Sequence, residues 1–118
     1  MQPQHPARDD IRLENVLAAL GNPLRLAVVQ VIAQGGEHHC NAVLPQVSKS
    51  TMTHHYRVLR ESGVARQSHV GREYKLSLRR EDLDARFPGL LDAILEPLDN
   101  DPLTAQSIAE YRQIVPSD

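Results

Sequence analysis

Apolar positions recur at helical spacing along most of the chain. In the stretch DDIRLENVLAALG, from Asp9, residues Ile11, Leu13, Val16, Leu17 and Leu20 fall close to one side. Acids lead the stretch and Gly21 follows it, so it predicts a first helix. Asn22-Pro23 restarts a helix, with Asn as N-cap and Pro where a missing N–H costs nothing. This second helix runs toward Gly35-Gly36 and is apolar on most sides (Leu24, Leu26, Val28, Val29, Val31, Ile32), which predicts a place at the centre of the core. Residues 37–47 are weakly patterned around Pro45 and predict one or two helical turns at most. Ser48 as N-cap and Gly63 as stop frame the next helix.

The period then changes. VARQSHVGREYKLSL alternates in two pieces around Val70-Gly71 and predicts a β-hairpin, with rough strands Ala65–Ser68 and Glu73–Leu78. A turn or two of helix is predicted over Arg80–Ala85. An apolar helix follows Phe87, with Pro88 at its start and Pro97 near its end, and SIAEYRQI predicts one more short helix. The fold class is therefore mainly α with a two-stranded β-hairpin wing, a winged helix-turn-helix layout.

Length and composition narrow the setting. The chain has 118 residues, which predicts one domain over residues 1–118. With one Phe, three Tyr and no Trp, its core must be aliphatic. The ends, about residues 1–8 and 115–118, are expected to fray. No apolar run approaches the roughly 20 residues of a membrane span. The start MQPQHPARDD reads as neither a signal nor a transit peptide, so a cytoplasmic protein without membrane contact is expected. One cysteine, Cys40, excludes an internal disulfide and an all-cysteine metal cage within the chain.

Charge is segregated. Residues 1–47 hold three Arg against four acids. Residues 48–80 hold eight basic residues (Lys49, Arg57, Arg60, Arg66, Arg72, Lys75, Arg79, Arg80) against Glu61 and Glu73, a net charge of +6. Residues 81–118 hold two Arg against nine acids, net −7, so a total of −2 hides a basic block and an acidic tail. Phosphate binding needs such a block, whereas a solvated charged face would not explain the segregation.

Within the Ser48–Gly63 helix, Met52, His55, Tyr56 and Leu59 are spaced i, i+3, i+4, i+7 and form the core stripe. Lys49, Ser50, Thr53, His54 and Arg57 share another side. Small hydroxyl residues let that side sit deep against a surface, and its cations can meet phosphates or base edges. The two adjacent histidines thus separate: His55 packs, while His54 either touches DNA or stands solvated. They point about 100° apart and cannot readily chelate one metal.

Three stretches, GNPLRLAVVQVI, VSKSTMTHHYRVLRESGVARQ and VGREYKLSL, together resemble the ArsR/SmtB family of winged-helix repressors. The likeness covers about Leu13 to Leu78 plus the following apolar helix, and its most specific part is Ser48 to Val64. It implies a homodimeric bacterial transcription factor that binds double-stranded DNA. It also implies that the matching helix enters the major groove, through Lys49, Ser50, Thr53, His54 and Arg57, while the wing uses His69, Arg72 and Lys75. The first and last helices are implied as the dimer interface, on Leu13, Val16, Leu17, Leu90, Leu91, Ile94 and Leu95. Independently, the apolar run Leu90, Leu91, Ile94, Leu95 and Leu98 is more than one small chain readily covers, so a second copy or packing within the subunit must cover it.

Many relatives of that kind sense metals. The Asp/His site on the last long helix is absent here, since no histidine lies in Phe87–Leu98. His38, His39 and Cys40 are ligand types for zinc, nickel or copper, with His5 able to complete a shell. Alternatives are a polar loop with a half-buried cysteine, or a redox role for Cys40. No metal or cofactor is assigned. No catalytic residues are expected either: a Gly-rich phosphate loop, HExxH and GxSxG are all lacking. A winged-helix protein–protein module, working beside a separate sensor protein, is the alternative function.

Overall fold

The computed structural model of the protein describes residues 3–112. Its elements run α1 (Leu13–Leu20), α2 (Pro23–Ile32), β1 (His38–His39), α3 (Cys40–Val43), α4 (Lys49–Ser62), β2 (Ala65–Val70), β3 (Glu73–Leu78), α5 (Arg80–Arg86), α6 (Leu90–Asn100) and α7 (Pro102–Arg112). The expected fraying at 115–118 lies outside the described residues.

α2 is the centre of the core, as its all-round apolarity predicts: Ala27, Val28, Val29 and Ile32 are completely buried. It begins where Asn22 Oδ1 accepts from the backbone N–H groups of Leu24 (2.9 Å) and Arg25 (3.2 Å). α4 ends at Gly63 for two reasons. Its φ is 87°, where only glycine is at ease. A Cβ there would also lie 2.6 Å from Cγ1 of the buried Ile11.

Four expectations are revised by the structure. α1 starts at Leu13, because residues Arg8–Asp10 form a separate 3₁₀ turn. β1 is an added strand: His38 and His39 pair antiparallel with Leu76 and Lys75, making a three-stranded sheet of order β1-β3-β2. α6 starts at Leu90 rather than Pro88, since Gly89 takes a left-handed φ of 84° to turn the chain from α5. α7 is a full helix that packs on α2 and α6, and its first turn is capped by Asp101, whose carboxylate accepts from Thr104 N–H (2.9 Å). The start of the chain, expected to fray up to residue 8, is tied down over its described part. His5 Nε2 accepts from Gln67 N–H (2.9 Å) and Pro6 O accepts from Arg79 (2.7 Å).

Candidate nucleic-acid interface

α4 presents the predicted faces. Met52, Tyr56 and Leu59 are buried, while Lys49, Ser50, Thr53, His54 and Arg57 are exposed along the opposite side. Ser48 Oγ caps the helix by accepting from Thr51 N–H (3.4 Å). Thr53 donates its hydroxyl proton to Lys49 O (2.8 Å), which leaves its oxygen lone pairs free to accept. His55 is half-buried, with Nδ1 3.0 Å from an Arg25 nitrogen. Burial, then Arg25, then His54 hold its pKa below the ordinary histidine value.

The wing is the β2–β3 hairpin, in register from Ala65–Leu78 to Val70–Glu73. His69 stacks on Tyr74 with ring centroids 4.6 Å apart, and Val70 and Tyr74 stand exposed near the tip. Arg72 is exposed at the turn. Lys75 lies on the central strand, opposite Ser68 on one side and His39 on the other.

A cleft of about 320 Å³ separates α4 from the wing, and it gathers Lys49, Thr53 and Arg72 over a floor that includes Met52 and Tyr56. The Tyr56 hydroxyl donates to Cys40 O (2.7 Å) and fixes that floor. Ser50, His54 and Arg57 line the exposed flank of α4 rather than the cleft.

The basic block divides. Arg79 and Arg66 reach Asp82 Oδ2 at 2.8 and 3.7 Å, Arg80 reaches Asp92 at 2.8 Å, and Arg60 donates to Gln67 Oε1 at 2.7 Å. Among the described residues, Lys49, Arg57, Arg72 and Lys75 have no carboxylate within 4.0 Å. The net charge of the segment thus overstated its outward field. Arg60, Arg66 and Arg79 are tied into the fold, Arg80 holds an exposed carboxylate, and the other four stand without an acid on α4 and the wing.

The predicted dimer residues also divide. Val16 and Leu91 are buried within the chain (1% and 2% exposed), where they pack the core. Leu13 and Leu17 are exposed (42% and 49%), and Leu90, Ile94 and Leu95 are half-buried.

The possible metal ligands do not converge. His38 donates through Nε2 to Gly35 O (3.1 Å), His39 pairs with Glu73 (2.8 Å), and His5 faces the β2 backbone. Cys40 is half-buried beside Gln67, and burial pushes its thiol up to about 11, away from the reactive thiolate. Among the described residues no three His, Cys, Asp or Glu side chains can hold a metal ion. Nor is any single helix there long and apolar enough to cross a membrane.

No protein-family profile matches the chain. It is 29% identical over 89 residues to the uncharacterised HTH-type transcriptional regulator YceK of Bacillus subtilis, covering 73% of this chain and 88% of that one. A solved structure described as a possible transcriptional regulator for arsenical resistance is 28% identical, with a TM-score of 0.56, over 76% of this chain and 97% of its own. An ArsR family transcriptional regulator of solved structure is 19% identical, with a TM-score of 0.57, over 82% of this chain and 98% of its own. The fold is that of the ArsR family.

The likeness read from GNPLRLAVVQVI and the Ser48–Val64 stretch is therefore borne out in three dimensions. The ArsR-type neighbours are matched almost whole, whereas this chain extends beyond the match. The proteins it resembles are described as transcriptional regulators, one of them as a possible one.

Proposed function

We propose that the chain is a sequence-specific DNA-binding transcriptional regulator of the ArsR type that binds a near-palindromic operator as a homodimer. The observation that carries this reading is the segregation of unpaired cations. Lys49 and Arg57 on α4, with Arg72 and Lys75 on the wing, keep their charge available, while neighbouring arginines pair with carboxylates. Cations left bare on a capped, exposed helix and an adjacent hairpin suit phosphates on either side of a groove. Ser50, Thr53 and His54 between them suit base edges.

In this reading Lys49, Arg72 and Lys75 hold the backbone, with His69 bracing the wing, and Arg57 and Thr53 read bases. The dimer forms through Leu13 and Leu17 of α1 with Leu90, Ile94 and Leu95 of α6, the candidate residues that the subunit leaves exposed or half-covered. Two-fold symmetry then places two α4 helices about 34 Å apart, one DNA turn. Three backbone-facing cations per subunit make about six phosphate contacts per dimer, and a salt slope of roughly −5 in log affinity against log salt.

A gel shift with the DNA upstream of the chain's own gene tests this. Retention of that duplex over a scrambled one supports the regulator. Equal retention, or none, points to a protein–protein module instead.

A further inference from the structure

Arg25, on the first turn of α2, makes three contacts outside its own helix. Its Nε donates to Ala19 O (2.5 Å) and Nη2 to Ala18 O (3.5 Å), two carbonyls of the last turn of α1, the second of which also accepts from the C-cap Gly21 N–H (3.3 Å). Its Nη1 lies 3.0 Å from His55 Nδ1, on α4. A guanidinium carries five donors and no acceptor, and it stays charged at any pH the fold survives. In this contact the proton therefore belongs to arginine, and Nδ1 must offer its lone pair. His55 is then neutral, and its one ring proton sits on Nε2.

We propose that Arg25 is a positioning residue for the reading helix: it holds His55 as a neutral, Nε2-protonated ring and ties α4 to the end of α1. This rests on the regulator reading, in which α4 meets DNA and α1 joins the dimer. One planar fork then spans three helices, so a shift of α1 at the dimer interface is felt at the middle of α4. It also makes the paired histidines unlike each other. His54 is exposed, while His55 has its donor and acceptor fixed.

Beside the His55 ring stand Arg25, from α2, and His54, whose ring centroid is 5.2 Å away on α4 itself. Protonating His55 puts an N–H against an N–H and a cation against a cation, so the bridge opens. Burial and both neighbours lower the folded pKa of His55, so the unfolded chain takes up the proton more readily. The bridge thus contributes fully above the unfolded value of about 6.5, and its contribution fades as pH falls toward the folded value.

The test is a long-range nitrogen–proton spectrum of the histidine rings of the full chain, recorded across pH for wild type, Arg25→Met and Arg25→Lys. Binding to the upstream duplex is measured in parallel. Wild-type His55 should show only the Nε2–H tautomer and titrate below the free imidazole value. R25M should show mixed tautomers and a raised midpoint, with duplex affinity about tenfold weaker. R25K keeps the charge but not the fork, and should also lose affinity. An Nδ1–H tautomer in wild type overturns the proposal. So do folded R25M and R25K proteins that bind the duplex like wild type. The wild-type spectrum needs no variant, so it decides the ring assignment even if R25M fails to fold. A wild-type chain with the fixed tautomer but no duplex preference would instead overturn the regulator reading.

Discussion

Arg66 and Arg79 beside Asp82 and the bare cations of α4 and the wing come from one basic stretch, yet they do opposite work. Asp82 gathers Arg8 at 2.7 Å, Arg79 at 2.8 Å and Arg66 at 3.7 Å. Arg79, nearly fully buried, also donates to Pro6 O, and so fastens the N-terminal arm, the end of the wing and α5 at one point. Lys49, Arg57, Arg72 and Lys75 have no such acid. A buried cation must be neutralised or it costs several kcal/mol. An exposed one is cheap in water and free to attract phosphate. Position, rather than residue type, decides whether an arginine here folds the chain or presents charge.

Substitutions that cross this divide should separate stability from binding. The largest effect is expected for Asp82→Ala, which leaves the buried Arg79 uncompensated. Urea unfolding should show a loss of about 3 kcal/mol. A loss below about 1 kcal/mol would remove Asp82 from its organising role. The same site predicts acid sensitivity. A hydrogen bond from Arg8, with further help from Arg79, outweighs burial and holds the Asp82 carboxyl below its usual range. The stability it contributes is present above the unfolded pKa of about 4 and is lost as pH falls below it, so D82A should flatten the acid limb of the stability curve.

Next comes Arg57→Ala on the other side of the divide. It should weaken specific duplex binding by roughly 1–3 kcal/mol and leave the urea midpoint in place. Thr53→Ala should do the same, and if both variants bind like wild type the assigned face of α4 is wrong. Arg72→Ala should weaken all duplexes alike and reduce the salt slope of a dimer by about 2. An unchanged slope would take the wing off the backbone. The smallest effect is expected at Arg80–Asp92, whose side chains are 46% and 71% exposed. Arg80→Ala should shift stability by less than about 0.5 kcal/mol and binding not at all.

Much of this was legible in sequence because its causes are local. Asn22-Pro23, Ser48 and Gly63 set helix ends through neighbours within a turn, and the spacing of Met52, Tyr56 and Leu59 shows which side of α4 goes inward. What was not legible depends on distant partners. His38-His39 becomes a strand only because Leu76 and Lys75 offer an edge to pair with. The family resemblance implied Val16 and Leu91 as interface residues, but both are buried within the subunit. A charge count over residues 48–80 cannot see that Asp82 and Asp92, just beyond it, pair with three of its arginines. The contact from Arg25 to His55 spans thirty positions, and no local rule announces it.

The most direct test of the central claim is the affinity of the full chain for its upstream duplex and for a scrambled duplex of equal composition, measured by anisotropy over a salt series. The regulator account predicts a preference of about a thousandfold or more for the upstream duplex at physiological salt, with the affinity falling steeply as salt rises. Equal affinity for the two duplexes, or an affinity indifferent to salt, would contradict it.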